Sequence, residues 1–132
     1  MVRGREREET IVMPVVGRKV TQSDIRLIRG DTERVGGRWR QRNLETGEVT
    51  PVDLHSWSGR LELWGPDGSE LWYSRPCGEM TEDGYAICVI PAAAFTADAW
   101  AAMRAGEWKV VVTSPDGATV RTIAWGHWVL SD

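Results

Sequence analysis

The sequence predicts an all-β fold, an immunoglobulin-like antiparallel β-sandwich that carries one short helix. Short runs of β-branched and aromatic residues alternate with polar turn residues, and two Pro-Asp-Gly turns, at 66–68 and 115–117, each separate two such runs. About seven to nine short strands at this spacing are typical of a sandwich. A chain of 132 residues fits one domain. We divide it into a charged N-terminal arm and lead-in at 1–20 and the β-sandwich at 21–132.

The arm has its own composition. Residues 1–10 are charged throughout and show no apolar periodicity, so by themselves they would not fold. We expect the arm to rest against a partner, and its arginines are candidate interface residues: Arg3, Arg5 and Arg7. Residues 11–16 are apolar and β-branched around Pro14, which predicts an edge strand or an extended lead-in.

The next segment, DIRLIRGDT at 24–32, is a strand that runs into an Arg-Gly-Asp tripeptide. Integrins bind this tripeptide when a loop displays it to animal cells, but nothing else in the sequence supports that function. We interpret the tripeptide as a turn, because Gly30 permits the backbone to reverse and Asp31 and Thr32 can hydrogen-bond the exposed backbone. Arg29 and Asp31 remain candidate interface residues.

Most strand predictions follow from turn chemistry. A second strand is expected at 35–43 around Trp39, followed by a turn at 45–48 with Gly47 at positive φ. The first Pro-Asp-Gly turn predicts a hairpin of 60–64 with 70–74, in which Leu61 and Leu63 face away from Arg60 and Glu62. The apolar run 84–90 indicates a central strand. Strand 107–113, with Trp108, Val110 and Val112 inward, pairs with 118–125 across the second turn, and 128–130 continues past Gly126.

The short helix is predicted between these strands. Thr96 is a suitable N-cap, Phe95 and Trp100 form a hydrophobic staple, and Trp100 and Met103 share one face. Gly106 stands where a helix commonly ends. The helix is expected to make about two and a half turns.

No residue pattern predicts catalysis, so we expect no enzyme, no cofactor and no metal. His55 and His127 are isolated and are interpreted as hydrogen-bonded structural residues. Glu79, Glu82 and Asp83 share one loop, where a calcium site is the alternative, although such sites need several oxygen ligands at defined offsets. Two cysteines without paired spacing, Cys77 and Cys88, are interpreted as reduced thiols, with a disulfide as the alternative.

Charge and hydropathy exclude further classes of partner. The net charge of -3 offers no basic stripe for nucleic acid, and no apolar stretch is long enough for membrane insertion. The charged first ten residues do not look like a secretory signal, so we expect synthesis in the cytoplasm.

Tryptophan is over-represented, with eight Trp against two Tyr and one Phe. Trp100 and Trp108 are expected in the core. Trp64 and Trp72, across the first hairpin, are candidate interface residues: they can be buried under a neighbouring loop or subunit, or form an exposed aromatic pair. Such a pair suits a protein interface or a carbohydrate platform, for instance for host cell-wall glycan.

Three segments together carry a family resemblance: DIRLIRGDT at 24–32, TPVDLHSWSGRLELWGPDGSELW at 50–72 and GEWKVVVTSPDGATVRTIAWGHWVL at 106–130. In this order they resemble the small β-sandwich tail-tip and baseplate proteins, or minor tail proteins, of tailed phages, especially those of actinobacteria. The resemblance covers about residues 24–130. The tryptophan content and the helix around Trp100 depart from that pattern.

The resemblance implies a structural virion protein located in the tail, without catalytic residues. Its expected partners are other phage tail proteins, in a homo-oligomer or a ring around the tail axis. Capsid decoration and a head-to-tail connector are alternatives, because a fold does not fix a function. A carbohydrate-binding module that uses the surface tryptophans is a third.

Overall fold

Strands account for nearly all regular structure in the computed structural model, which describes residue 20 and residues 22–132. The described part contains ten strands: β1 (Ile25–Ile28), β2 (Glu33–Arg38), β3 (Arg40–Arg42), β4 (Val49–Pro51), β5 (Ser58–Trp64), β6 (Leu71–Pro76), β7 (Glu79–Met80), β8 (Tyr85–Ile90), β9 (Ala105–Thr113) and β10 (Val120–Ser131). The one helix described is a single 3₁₀ turn at Asp98–Ala101. The all-β prediction is therefore confirmed. No described helix has the length and apolar character needed to span a bilayer. The strand predicted at 11–16 lies outside the described residues.

The strands form three sheets. A five-stranded sheet has the order β1-β10-β9-β5-β6, a three-stranded sheet has the order β2-β8-β7, and β3 pairs with β4 alone. The predicted central strand at 84–90 is confirmed, because β8 is the middle strand of its sheet. The prediction of a wholly antiparallel arrangement is wrong for one pair of strands, since β1 runs parallel to β10. A tight hairpin enforces antiparallel pairing only between successive strands, and the whole chain from β2 to β9 separates these two.

Both predicted hairpins are present. β5 pairs antiparallel with β6 across the first Pro-Asp-Gly turn, where Gly68 has φ 72°, and β9 pairs antiparallel with β10 across the second, where Gly117 has φ 76°. β10 continues through Gly126 as predicted, with a register shift between Thr122 and Ala124. The strand predicted at 35–43 is instead two strands in different sheets. β2 pairs with β8 as far as Arg38, and after Trp39 the chain continues as β3, which pairs with β4.

The five-stranded and three-stranded sheets both contribute side chains to one apolar core. Leu61 and Leu63 are fully buried and face away from Arg60, as predicted, and the inward Trp108, Val110 and Val112 are also buried. The three-stranded sheet adds four side chains to the same cluster: Val35, Ala86, Cys88 and Ile90. Glu62 points away from this core and yet is only 7% exposed.

Two tryptophans of the core lie across glycines of the neighbouring strand. Trp128 of β10 is paired in register with Gly106 of β9, and its indole N–H crosses that glycine to the carbonyl oxygen of Trp64, 3.0 Å away. Trp108 of β9 is paired with Gly126 of β10, and its indole N–H reaches the carbonyl oxygen of Ser23 at 2.8 Å. The two bonds tie β5 and the lead-in to β1 onto the central pair of strands.

The helix prediction is wrong in length and in both caps. The N-cap residue is Ala97, without a side-chain hydrogen bond, and the Thr96 hydroxyl donates instead to the carbonyl oxygen of Ala93. Gly106 does not end a helix, because it is recruited into β9 opposite Trp128. The expected contact between Phe95 and Trp100 is confirmed, with ring centroids 4.7 Å apart.

Candidate protein-binding groove

A groove of about 540 Å³ lies between the edge strands of the two main sheets. β1 forms one wall and β2 the other, and the turn at 29–32 joins the two strands. The residues that line it are Ser23, Ile25, Arg26, Leu27, Glu33, Arg34, Val35, Gly36, Gly37, Arg38, Trp108, Ile123 and Ala124. We refer to this feature as the edge groove.

Both walls of the edge groove carry a free strand edge among the described residues. β1 pairs only with β10, and β2 pairs only with β8. The backbone N–H of Ile28 points away from β10, because the Glu33 carboxylate accepts it at 3.0 Å. Backbone groups alternate in direction along a strand, so the N–H and C=O of Arg26 also face away from β10. The Ile28 N–H is already bonded to Glu33, so on β1 the Arg26 groups are the ones that offer hydrogen bonds to a further strand.

The floor and the rim of the edge groove differ in polarity. Leu27, Val35 and Trp108 are buried side chains on its lining. At the rim the arginines are held by neighbours: Arg26 donates to the Ser131 hydroxyl at 2.9 Å, Arg34 to Glu79 at 2.8 Å, and Arg38 to the Asp83 carbonyl at 3.0 Å. Since the three apolar side chains are almost inaccessible, the contacts that the groove can offer are those of its strand edges and its polar rim.

Two glycines shape the β2 wall. A Cβ on Gly37 would lie 2.7 Å from the Ala124 methyl group, and a Cβ on Gly36 would lie 2.5 Å from the Ala86 carbonyl oxygen. Glycine is therefore needed for the close approach of β2 to β10 and β8. This function of the Gly36-Gly37 pair depends on strands far away in sequence.

The Arg-Gly-Asp turn joins the two walls of the edge groove. Gly30 has φ 90°, as a tight turn requires, and the Asp31 N–H donates to the Ile28 carbonyl at 3.2 Å. Arg29 is anchored in the fold: Nε donates to the Phe95 carbonyl at 2.9 Å, and Nη1 lies 3.6 Å from the Asp132 carboxylate. The side chain that bonds the turn backbone is Glu33, not the predicted Asp31 or Thr32. Asp31 is exposed.

The Asp24 carboxylate, next to Ser23 of the groove lining, accepts two hydrogen bonds where the chain enters β1. The Asp24 carboxylate accepts the backbone N–H of His127 at 3.0 Å and the amide of Gln22 at 3.1 Å. These bonds, the first above all, hold the pKa of Asp24 below its usual value. The contacts fix the direction in which the chain enters β1.

Trp64 and Trp72 do not form the aromatic platform that the sequence allowed. Trp64 lies on the outer face of the five-stranded sheet, where it donates to Glu62 at 3.0 Å and Lys109 stands 5.5 Å from its ring centroid. Trp72 points to the opposite face, with its ring centroid 6.0 Å from that of buried Trp128. Neither residue lines the edge groove. Arg3, Arg5 and Arg7 lie outside the described residues.

Both histidines make the expected polar contacts. His127 Nδ1 lies 3.1 Å from the Gln22 amide nitrogen, and His55 Nδ1 lies 2.8 Å from Asp53 Oδ1. The Asp53 carboxylate raises the pKa of His55, and the backbone N–H of His55, followed by its ring, lowers the pKa of Asp53. Glu82 joins this pair in space, a grouping that sequence reasoning missed. In the sequence, only the two-residue spacing from Asp53 to His55 indicates this grouping.

The two cysteines are free thiols, as interpreted from the sequence. Burial, followed by the neighbouring Cys88, raises the pKa of Cys77 to about 12. At neutral pH this thiol is protonated and a poor nucleophile or ligand. No known protein family matches the chain, and no curated protein is significantly similar to it.

Proposed function

We propose that the chain is a structural virion protein of a tailed phage, a minor tail protein that assembles into the tail tip or baseplate through protein–protein contacts. The edge groove carries this proposal, because it presents two strand edges that are free among the described residues. The phage assignment comes from the sequence resemblance, and the geometry of the groove supports assembly as the mode of action.

We infer that the fold is an immunoglobulin-like β-sandwich of the variable type. In such a domain strands B, E and D form one sheet and strands G, F, C and C′ the other. Here β2, β8 and β7 take the positions of B, E and D, and β10, β9, β5 and β6 those of G, F, C and C′. The shared core of the two sheets supports this assignment.

The occupant proposed for the edge groove is the N-terminal segment of a neighbouring copy. Residues 11–16 are apolar and β-branched, which suits a strand added to a free edge. In the sequence this segment ends seven residues before Ser23, which lines the groove. The chain enters β1 beside Trp125, where Gln22 makes a parallel bridge, so its own segment would have to reverse direction to enter. A neighbouring copy needs no such reversal.

Binding of the isolated segment tests this occupant. A labelled peptide of residues 8–20 is titrated with a chain that lacks residues 1–16, and fluorescence anisotropy reports binding. Arg26→Pro removes the β1 N–H that faces the groove, whereas Arg26→Ala removes only the side chain. We expect the proline variant to bind about 2- to 10-fold more weakly than the alanine variant, the contribution of one hydrogen bond. Equal affinities of the two variants, or no binding to the parent, contradict the proposed occupant.

The virion assignment has a separate test. Deletion of residues 1–16 should abolish incorporation into the particle while leaving the sandwich folded, as judged by far-ultraviolet circular dichroism. Imaging of the labelled protein on the particle distinguishes the tail from the capsid and the head-to-tail connector. Normal incorporation of the truncated chain refutes assembly through the arm.

A further inference from the structure

Three exposed side chains with metal-binding groups meet on the surface. Asp53 and His55 follow β4, and Glu82 lies in the turn between β7 and β8. One ligand atom from each residue lies within 4.8 Å of the other two. None of the three residues lines the edge groove.

The backbone holds these two loops against each other. Leu54, between Asp53 and His55, is fully buried, and its N–H donates to the Thr81 carbonyl at 2.9 Å. The Gly84 N–H closes the turn around Glu82 by donating to the same carbonyl at 3.2 Å. Gly84 has φ 90°, and a Cβ there would lie 2.4 Å from the Trp39 carbonyl oxygen. Binding an ion would therefore order only the side chains, because the backbone positions are already set.

The donor set suits a divalent transition ion. Zn²⁺ binds imidazole nitrogen and carboxylate oxygen at about 2.0–2.2 Å, so two ligands of one ion lie at most about 4.4 Å apart. The three ligand atoms lie within 4.8 Å of one another, so small side-chain rotations bring them into that range. An imidazole ligand favours zinc, nickel or copper over magnesium and calcium, which prefer oxygen alone. Two carboxylates offset the charge of the ion, and the exposure of the site leaves room for water to complete the coordination shell.

We propose that Asp53, His55 and Glu82 form a surface site for a divalent transition ion of the zinc class. The site pins the loop after β4 to the turn between β7 and β8. It does not depend on the proposed function, since none of the three proposed ligands lines the edge groove.

The chain supplies matched controls for a binding test. His127 is also exposed and lies 3.5 Å from the Asp24 carboxylate, but no second carboxylate joins that pair in the described part of the chain. Glu79 is an exposed carboxylate whose partner is Arg34. Each control carries the same functional group as a proposed ligand without the three-residue grouping.

The test is an isothermal calorimetric titration of the intact chain with Zn²⁺ alone at neutral pH. We expect one ion per chain, with affinity at least about 10-fold lower in His55→Ala and in Glu82→Gln. His127→Ala and Glu79→Gln should bind as the parent does, and a Cys77→Ser, Cys88→Ser variant should retain binding. Circular dichroism of each variant confirms folding. The proposal is overturned if the parent shows no saturable binding, if the control and ligand variants lose affinity equally, or if the cysteine variant abolishes it.

Discussion

Replacement of Gly106 by alanine is the sharpest test of how the Trp128 indole holds β10, β9 and β5 together. Gly106 lies in β9 under the indole of Trp128, which donates to the Trp64 carbonyl oxygen. A Cβ at this position would lie 1.9 Å from that oxygen and 2.9 Å from the indole nitrogen. Because the nearer atom belongs to the backbone, the clash is relieved only by moving β5 or expelling the indole.

The cost has two parts. Overpacking a filled site costs about 1–3 kcal/mol. Separating the indole from the carbonyl leaves two buried polar groups without partners, which costs about 1–3 kcal/mol more. Alanine recovers about 0.4–1 kcal/mol, since it restricts the unfolded chain. We therefore expect Gly106→Ala to lower the free energy of unfolding by about 1–6 kcal/mol, a large part of the stability of a typical domain.

Equilibrium urea unfolding, followed by tryptophan fluorescence and circular dichroism, measures this free energy. Gly78→Ala is the matched control, because a Cβ on Gly78 meets nothing within 4 Å. Its effect should stay within about 0.5 kcal/mol. The reasoning is refuted if the two variants unfold at the same urea concentration.

Three further predictions concern charges, thiols and the Arg-Gly-Asp turn. Hydrogen bonds, first that of the His127 N–H, lower the pKa of Asp24 below 3.8, so the stabilising contribution of this carboxylate is present above pH 3.8 and is lost as the pH falls through the lowered pKa. Between pH 5 and pH 3 the urea midpoint of the parent should therefore fall by more than that of Asp24→Asn. Equal falls in the two proteins would contradict this. Cys77, with a pKa of about 12, should react with iodoacetamide at pH 8 at least about 100-fold more slowly in the native than in the urea-unfolded chain, and similar rates would contradict its burial. Arg29→Ala removes the hydrogen bond to the Phe95 carbonyl and should lower the free energy of unfolding by about 1–2 kcal/mol. Asp31→Ala should change that free energy by less than about 0.5 kcal/mol. An equal loss in both variants would show that Arg29 is not the anchor.

Local chemistry explains which parts of the fold could be predicted. The two Pro-Asp-Gly turns specify their hairpins within a few residues, and both hairpins are present. The alternation of Leu61 and Leu63 with charged residues likewise identifies the buried face of β5. These signals depend on neighbours in sequence, so they can be recognised without a structure.

The wrong predictions depend on partners that are distant in sequence. Residues 96–106 carry helix signals, but Gly106 pairs with Trp128 and is drawn into β9. The parallel pairing of β1 with β10 has no local signal, because more than 90 residues lie between the two strands. The edge groove depends on the same pairing, so it could not be found from the sequence.

The candidate sites show the same contrast. Arg29 was singled out for its motif, yet its contacts to Phe95 and Asp132 make it an anchor of the fold. Trp64 and Trp72 are close in sequence but point to opposite faces, which only the pairing of β5 and β6 decides. Asp53 and Glu82 come together because the Leu54 N–H bonds the Thr81 carbonyl.

Sedimentation velocity of the intact chain and of the chain lacking residues 1–16 tests the proposed mode of assembly most directly. If the N-terminal segment of one copy occupies the edge groove of the next, the intact chain should sediment as an oligomer whose size rises with concentration. The truncated chain should remain a monomer over the same range. A monomeric intact chain at all concentrations, or equal association of both chains, would contradict assembly through the edge groove.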